Sequence, residues 1–238
     1  MITIEETLTH SHTIECALSS AYSRVQSLTI RNQSQNMKNI EGLAEEHGIR
    51  VRYEKSHPSR PQIEARVLWY LFSDWKEFRS KEAQKDAELI LFLDRLNDPQ
   101  NVGNILRTAS FFGAAAVVIP KSRSVKLGET VIRTSTGGAL SIPVIHPSNL
   151  VRTMQEFQEE GAYIWGLSAH AQNVLSSEQP VNKKIGLVVG SEGEGMASLT
   201  EKTCDMLLKL SAQGFHESLN AASAAAIGIY ECMKKIQA

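Results

Sequence analysis

The chain has 238 residues, of which 42% are hydrophobic and 21% charged, with a formal net charge of -1. That composition excludes a disordered or collagen-like chain, and no stretch reaches the roughly 18 consecutive apolar residues of a membrane span. The length allows one large domain or two modest ones, and near-neutrality by itself argues against nucleic acid, whose binders usually carry a basic excess.

Met1 to Thr9 carries Glu5 and Glu6 where a signal peptide needs a positive end and an unbroken apolar run, so the chain reads as untargeted and cytoplasmic. Cys16, Cys204 and Cys232 are odd in number and widely spaced, which fits buried apolar thiols rather than a disulfide framework or a zinc site. The first third predicts helix over Thr13 to Ser20, strand over Val25 to Ile30, helix over Gln35 to His47 and strand over Ile49 to Tyr53, with Gly48 as a helix stop. Prolines 58 and 61 interrupt regular structure. The apolar run Ile63 to Trp75 is expected to pack on the first unit, and the charged stretch Asp74 to Glu88 to form a helical linker. The boundary is placed near residue 85, dividing the chain into 1–85 and 86–238.

Beyond it, strand and helix alternate. Strands are expected at Glu88 to Leu93, Ala115 to Ile119, Ile142 to Ile145, Tyr163 to Leu167, Ile185 to Val189 and Met206 to Leu210. Helices are expected at Val102 to Phe112, Val125 to Thr136, Asn149 to Glu160 and Glu217 to Lys235. The alternation specifies an α/β fold, a mostly parallel sheet with helices on both faces, whose ligand sits at the carboxyl ends of the strands.

Three loops at such ends hold the candidate chemistry. The first runs from Asp94 to Thr108, with Asp98-Pro99 as a helix start. Asn101 and Arg107 are six residues apart there, about 120° different in bearing. A capped surface helix with a solvated arginine is equally compatible with these residues. The second, Gly190-Ser191-Glu192-Gly193-Glu194-Gly195-Met196, has three glycines in six residues, so its backbone turns sharply or admits a ligand closely. Its order fits neither a dinucleotide fingerprint, a phosphate loop nor a nucleophile elbow. Glu192 in such a crevice needs a cation or donor as partner. The third runs from Ser211 to Asn220 into an alanine-rich helix, where Ser218 and Asn220 stand near free backbone N–H groups that favour an anion.

Taken together, Asn101-x-Gly103-Asn104-Ile105-x-Arg107-Thr108, Gly190-x-Glu192-x-x-Gly195 and Gly214-x-x-Glu217-Ser218-Leu219-Asn220 resemble the three signature motifs of the SpoU, or TrmH, family of RNA ribose 2'-O-methyltransferases. The resemblance covers about residues 88 to 235. Thr134-Ser135-Thr136-Gly137-Gly138-Ala139-Leu140 resembles a further segment of that family, and the N-terminal third is similar, more loosely, to its ribosomal-protein-like RNA-binding domain. The resemblance implies a trefoil-knotted C-terminal α/β fold working as a homodimer without metal. Its cofactor would be S-adenosylmethionine, held by Leu187, Val189, Gly190, Ser191, Gly195, Met196, Leu210, Ser211, Ser218 and Leu219. Arg107 corresponds to the residue proposed in the family as the proton acceptor; Ser218 would hold phosphate, and Asn101, Glu192 and Asn220 would orient Arg107 and the ribose. Stripping a proton from a guanidinium near pH 7 costs about 8 kcal/mol, so positioning of phosphate or of the 2'-oxygen is the rival role. Ser211-Ala212 stands where the family usually has proline and methionine, which bears on cofactor affinity.

Basic residues cluster as Arg50, Arg52, Lys55, Arg60 and Arg66, and again as Lys121, Arg123, Lys126 and Arg133. Of these, Arg50, Arg52, Arg60, Lys121, Arg123 and Lys126 are candidates for RNA phosphate contact; a solvated face is the alternative for each cluster. The front unit favours rRNA over tRNA. A non-catalytic RNA-binding relative would be expected to have lost Asn101, Arg107, Glu192, Ser218 or Asn220, all of which are present. A nicotinamide-dependent oxidoreductase would need the fingerprint glycines that this chain lacks. Residues 1–85 carry twelve lysines and arginines against eleven acids, and the rest thirteen against fifteen, so neutrality averages over local patches.

Overall fold

A computed structural model describes residues 1–32, 35–212, 214–215 and 218–237, with backbone alone at 35 and 36. Among them the chain builds two sheets. The first contains β1 (Ile2–Leu8), β2 (Ser23–Ile30), β3 (Val51–Tyr53) and β4 (Ile63–Leu71), ordered β1-β4-β2-β3, with helices α1 (Ser11–Ser19) and α2 (Gln35–Glu46) between strands. In β4 the side chains at alternate positions from Ile63 to Leu71 are buried, as a strand with one face on a core requires. Strand β1 falls outside the sequence expectation. Glu5 and Glu6 interrupt its apolar alternation, and its pairing with β4 from Ile2↔Leu71 to Leu8↔Ala65 supplies what the side chains do not.

The stretch expected to be a linker is a short helix, α3 (Trp75–Lys81), capped by the Asp74 carboxylate accepting from the Glu77 N–H at 2.8 Å. It is no exposed connector. Phe72, Trp75 and Phe78 join Ile90, Phe92, Met154 and Phe157 in one buried cluster. Arg79 lies 4.5 Å from the Trp75 ring centroid and donates to Glu88 and Glu160.

The second sheet has β5 (Glu88–Leu93), β6 (Ala116–Val118), β7 (Val144–Ile145), β8 (Tyr163–Leu167), β9 (Asn173–Val174), β10 (Lys184–Val189) and β11 (Met206–Lys209). The order is β7-β6-β5-β10-β8-β11-β9, and every pairing is parallel. Side chains alternate between two cores: Leu89, Leu91 and Leu93 in one, Ile90 and Phe92 in the other. Both faces are therefore covered, as parallel sheets require. Helices α4 (Pro99–Phe112), α5 (Glu129–Thr134) and α8 (Ala221–Gln237) bury residues in the first core. Helix α6 (Leu150–Glu159) lies in the second and packs on α7 (Ser198–Thr203).

Several expected bounds shift for local reasons. The predicted helix Val125 to Thr136 begins only at Glu129, after Gly128, while Val125 and Leu127 are buried in the preceding loop. The last helix begins at Ala221 rather than Glu217. Asn220 caps it by accepting from the Ala222 and Ser223 N–H groups at 2.9 and 3.3 Å. Glu217, with Gln213 and His216 of the same loop, lies outside the described residues. The three cysteines are free thiols, and burial pushes Cys204 and Cys232 up to about 12, so both stay protonated near neutrality.

Candidate active site

Helix α4 starts where Asp98 accepts from the Gln100 N–H at 2.9 Å and Pro99 occupies the first turn, and it ends at Gly113 with φ +76°. Its first turn presents Asn101, only 8% exposed. The Asn101 side-chain amide donates to Glu192 Oε1 at 2.8 Å. Asn220 Nδ2 donates to the same oxygen at 2.6 Å and to Asn101 Oδ1 at 2.9 Å, and the Ala221 N–H reaches Glu192 at 3.3 Å. One carboxylate oxygen thus ties the loops after β5, β10 and β11 together at the carboxyl edge of the sheet. Charge-assisted bonds of this kind are the stronger class of hydrogen bond.

The glycines of the second loop serve different ends. A Cβ on Gly190 would lie 2.4 Å from the Gly195 carbonyl carbon, because the loop folds back on itself through the paired Ser191 and Gly195 backbones, and Gly195 takes φ +65°. Gly193 and Gly195 face open space, leaving that stretch of backbone accessible. Buried Asp94 accepts from the Ala197 N–H at 2.6 Å, and Arg95 donates to Glu194 at 3.0 Å, so the end of β5 grips this loop twice. The Asp94 contact spans 103 positions, and no local pattern around Asp94 marks it.

Arg107 is placed elsewhere. Six residues on from Asn101, it is exposed and turned to another face of α4. Its Nη1 donates to the hydroxyl of Thr136 at 3.2 Å. The expectation that Asn101, Glu192 and Asn220 orient Arg107 is therefore corrected: those three bond to one another, and the guanidinium rests on Thr136. Gly103 explains how α5 comes so near, since a Cβ there would lie 2.0 Å from the Thr134 hydroxyl.

Of the residues expected to hold the cofactor, Leu187 and Val189 are buried within the sheet at 0% and 2% exposure, and Met196 packs into the second core. Their side chains support the loop from beneath. Gly190, Ser191, Gly195, half-buried Leu210, exposed Ser211, Ser218 and Leu219 lie on the loops above. Arg50, Arg52, Lys121, Arg123 and Lys126 are exposed, and Arg60 is exposed but within 3.6 Å of Glu54. Among the described residues no group of three metal-binding side chains occurs, and no helix is long and apolar enough to cross a membrane.

The profile of the SpoU rRNA Methylase family matches residues 88–230, which contain all three loops. The chain belongs to the SpoU family. It is 36% identical over 215 residues to YacO of Bacillus subtilis (strain 168), assigned to the TrmH family of tRNA/rRNA methyltransferases, covering 87% of this chain and 85% of that one. The SpoU methyltransferase AviRb from Streptomyces viridochromogenes, solved in complex with AdoMet, superposes with a TM-score of 0.81 at 20% identity, over 97% of this chain and 90% of that one. A solved RNA 2'-O ribose methyltransferase superposes with a TM-score of 0.75 at 19% identity, over 98% and 90%. The α/β-knot fold of these SpoU structures is the fold of this chain, and it is an RNA methyltransferase that uses S-adenosylmethionine. The residues present suit that cofactor: the open backbone at Gly193 and Gly195 offers polar groups, and Leu210 and Leu219 offer apolar surface for a planar base.

Proposed function

We propose that the enzyme methylates a ribose 2'-hydroxyl in structured rRNA, with residues 1–85 as the RNA substrate-binding unit and 86–238 as the methyltransferase unit. The observation that carries this reading is the joining of three loops through Glu192 Oε1, with an exposed arginine six residues on from Asn101 on the same helix. S-adenosylmethionine supplies an electrophilic methyl group. When bound, it would give that methyl to the 2'-oxygen as its S–C bond breaks, leaving S-adenosylhomocysteine, and the hydroxyl proton would pass to solvent water. The chain's task is alignment, worth several kcal/mol when reacting atoms are held in line. Asn101, Glu192 and Asn220 fix the loops that would hold the donor. Arg107, with N–H groups to spare, holds a phosphate or the 2'-oxygen, and Ser218, three residues before α8, meets phosphate near a helix start. Positioning is the role assigned to Arg107, given the cost of removing a guanidinium proton.

Exposed Arg50, Arg52, Lys121, Arg123 and Lys126, with Arg60, supply salt-sensitive contacts to the RNA backbone. A homodimer is proposed on the exposed apolar stripe of α4 and α8, where Phe111, Ile227 and Tyr230 are 81%, 43% and 48% exposed. A cytoplasmic setting accompanies an RNA substrate. The test is incubation of labelled S-adenosylmethionine with rRNA and with tRNA from cells lacking the protein, followed by mapping of the label. A new 2'-O-methyl group on rRNA is the expected result. Label on a base overturns the ribose assignment, and label on tRNA alone overturns the substrate assignment.

A further inference from the structure

We propose that Thr136 is a positioning residue for Arg107, and that helix α1 of the N-terminal unit seats the turn from which its hydroxyl meets the guanidinium. The proposal rests on the reading of Arg107 as the substrate-facing arginine.

Thr136 has φ +53°. That is the left-handed region, where a β-branched residue is an outlier, and such residues persist only where their surroundings impose them and cluster at functional sites. Within the turn, the Thr136 N–H donates to the Arg133 carbonyl and the Gly138 N–H to that of Ser135, both at 3.0 Å. The fully buried Ser135 hydroxyl donates to Ile132 and accepts from the Ala139 N–H. On one side the turn presses on α4: a Cβ on Gly138 would lie 2.8 Å from Arg107 Cα. On the other it presses on α1: a Cβ on Gly137 would lie 2.7 Å from Cys16 Cβ. The Cys16 thiol sits 3.9 Å from the Thr136 carbonyl, and the Ser20 hydroxyl donates to the Leu140 carbonyl.

The turn is thus clamped between the helix that carries Arg107 and a helix of the other unit. Glycine or asparagine would occupy φ +53° at less steric cost. What threonine adds at this position is a hydroxyl 3.2 Å from the Arg107 Nη1. That contact uses one of five guanidinium N–H groups and leaves the rest for a substrate anion.

The experiment uses the full chain and compares Thr136→Gly, Thr136→Ser and Cys16→Leu by melting midpoint, S-adenosylmethionine affinity and single-turnover methyl transfer. Thr136→Gly should melt at or above the wild-type temperature, yet lower kcat about ten-fold while RNA KM and cofactor affinity hold. Thr136→Ser should restore kcat. Cys16→Leu, which pushes on Gly137, should lower kcat in the wild type and add nothing in the Thr136→Gly background. A second readout needs no turnover: the Arg107 side-chain 15N resonances should shift in Thr136→Gly and stay in place in Thr136→Ser. Full kcat in Thr136→Gly, a serine variant as slow as the glycine one, or a kcat loss that tracks a falling melting midpoint would each overturn the proposal. If the wild type transfers no methyl group to RNA, the functional reading fails, and the resonance shifts alone decide whether Thr136 holds Arg107.

Discussion

Arg79 and Arg107 show how differently one residue type is used in two regions of this molecule. Arg79 stacks on Trp75 and Phe78 and donates to Glu88 and Glu160; its side chain is 13% exposed and that of Glu88 1%. Arg107 stands in the open with one neutral partner among the described residues. Five planar donors can be saturated inside the protein or kept for a ligand, but not both. The saturated arginine closes the seam where α3 meets the second sheet, and the unsaturated one is available to RNA.

Removing each should therefore break different properties. Arg79→Ala leaves the Glu88 carboxylate buried without its cation and should cost about 3 to 5 kcal/mol by chemical denaturation, with kcat per folded molecule unchanged. Arg107→Ala should do the reverse, lowering kcat about 100-fold or more with the melting midpoint in place, the scale of losing a donor aimed at the reacting centre. Glu192→Ala belongs to both kinds, since its oxygen accepts from Asn101, Asn220 and Ala221. It should cost about 1 to 2 kcal/mol of stability and weaken S-adenosylmethionine binding by calorimetry; equal cofactor affinity in the variant would detach the network from the cofactor loops.

The smallest effect concerns a histidine. Burial, with Lys121 nearby, holds the His146 imidazole below its ordinary 6.5 despite its bond to the Ile119 carbonyl. The folded state therefore prefers the neutral ring. That stability is fully present above 6.5 and is lost as pH falls through the folded value. The denaturation midpoint should drop on acidification through that window, and His146→Phe should flatten this part of the profile.

How much of this could be read in advance differs by kind of feature. The parallel sheet was legible because Leu89 to Leu93 and Ile185 to Val189 are unbroken apolar runs, the pattern of strands buried on both faces. The loops at their ends were legible through glycine, asparagine and arginine at short spacings. Long-range partners were not: Arg79 meets Glu160 across 81 positions and Arg107 meets Thr136 across 29, and no local pattern marks either pair. The Thr136 turn had one visible trace, the double glycine after it, but a positive φ at threonine is not readable from composition.

The central claim is that the Arg107 guanidinium serves ribose methylation by positioning the substrate. The most direct measurement is the single-turnover rate of 2'-O-methyl formation on rRNA by Arg107→Lys and by the wild type, with cofactor affinity and melting midpoint recorded for both. The account predicts a rate lower by about 100-fold at every pH tested, with affinity and midpoint unchanged. A lysine variant that methylates at close to the wild-type rate would contradict it.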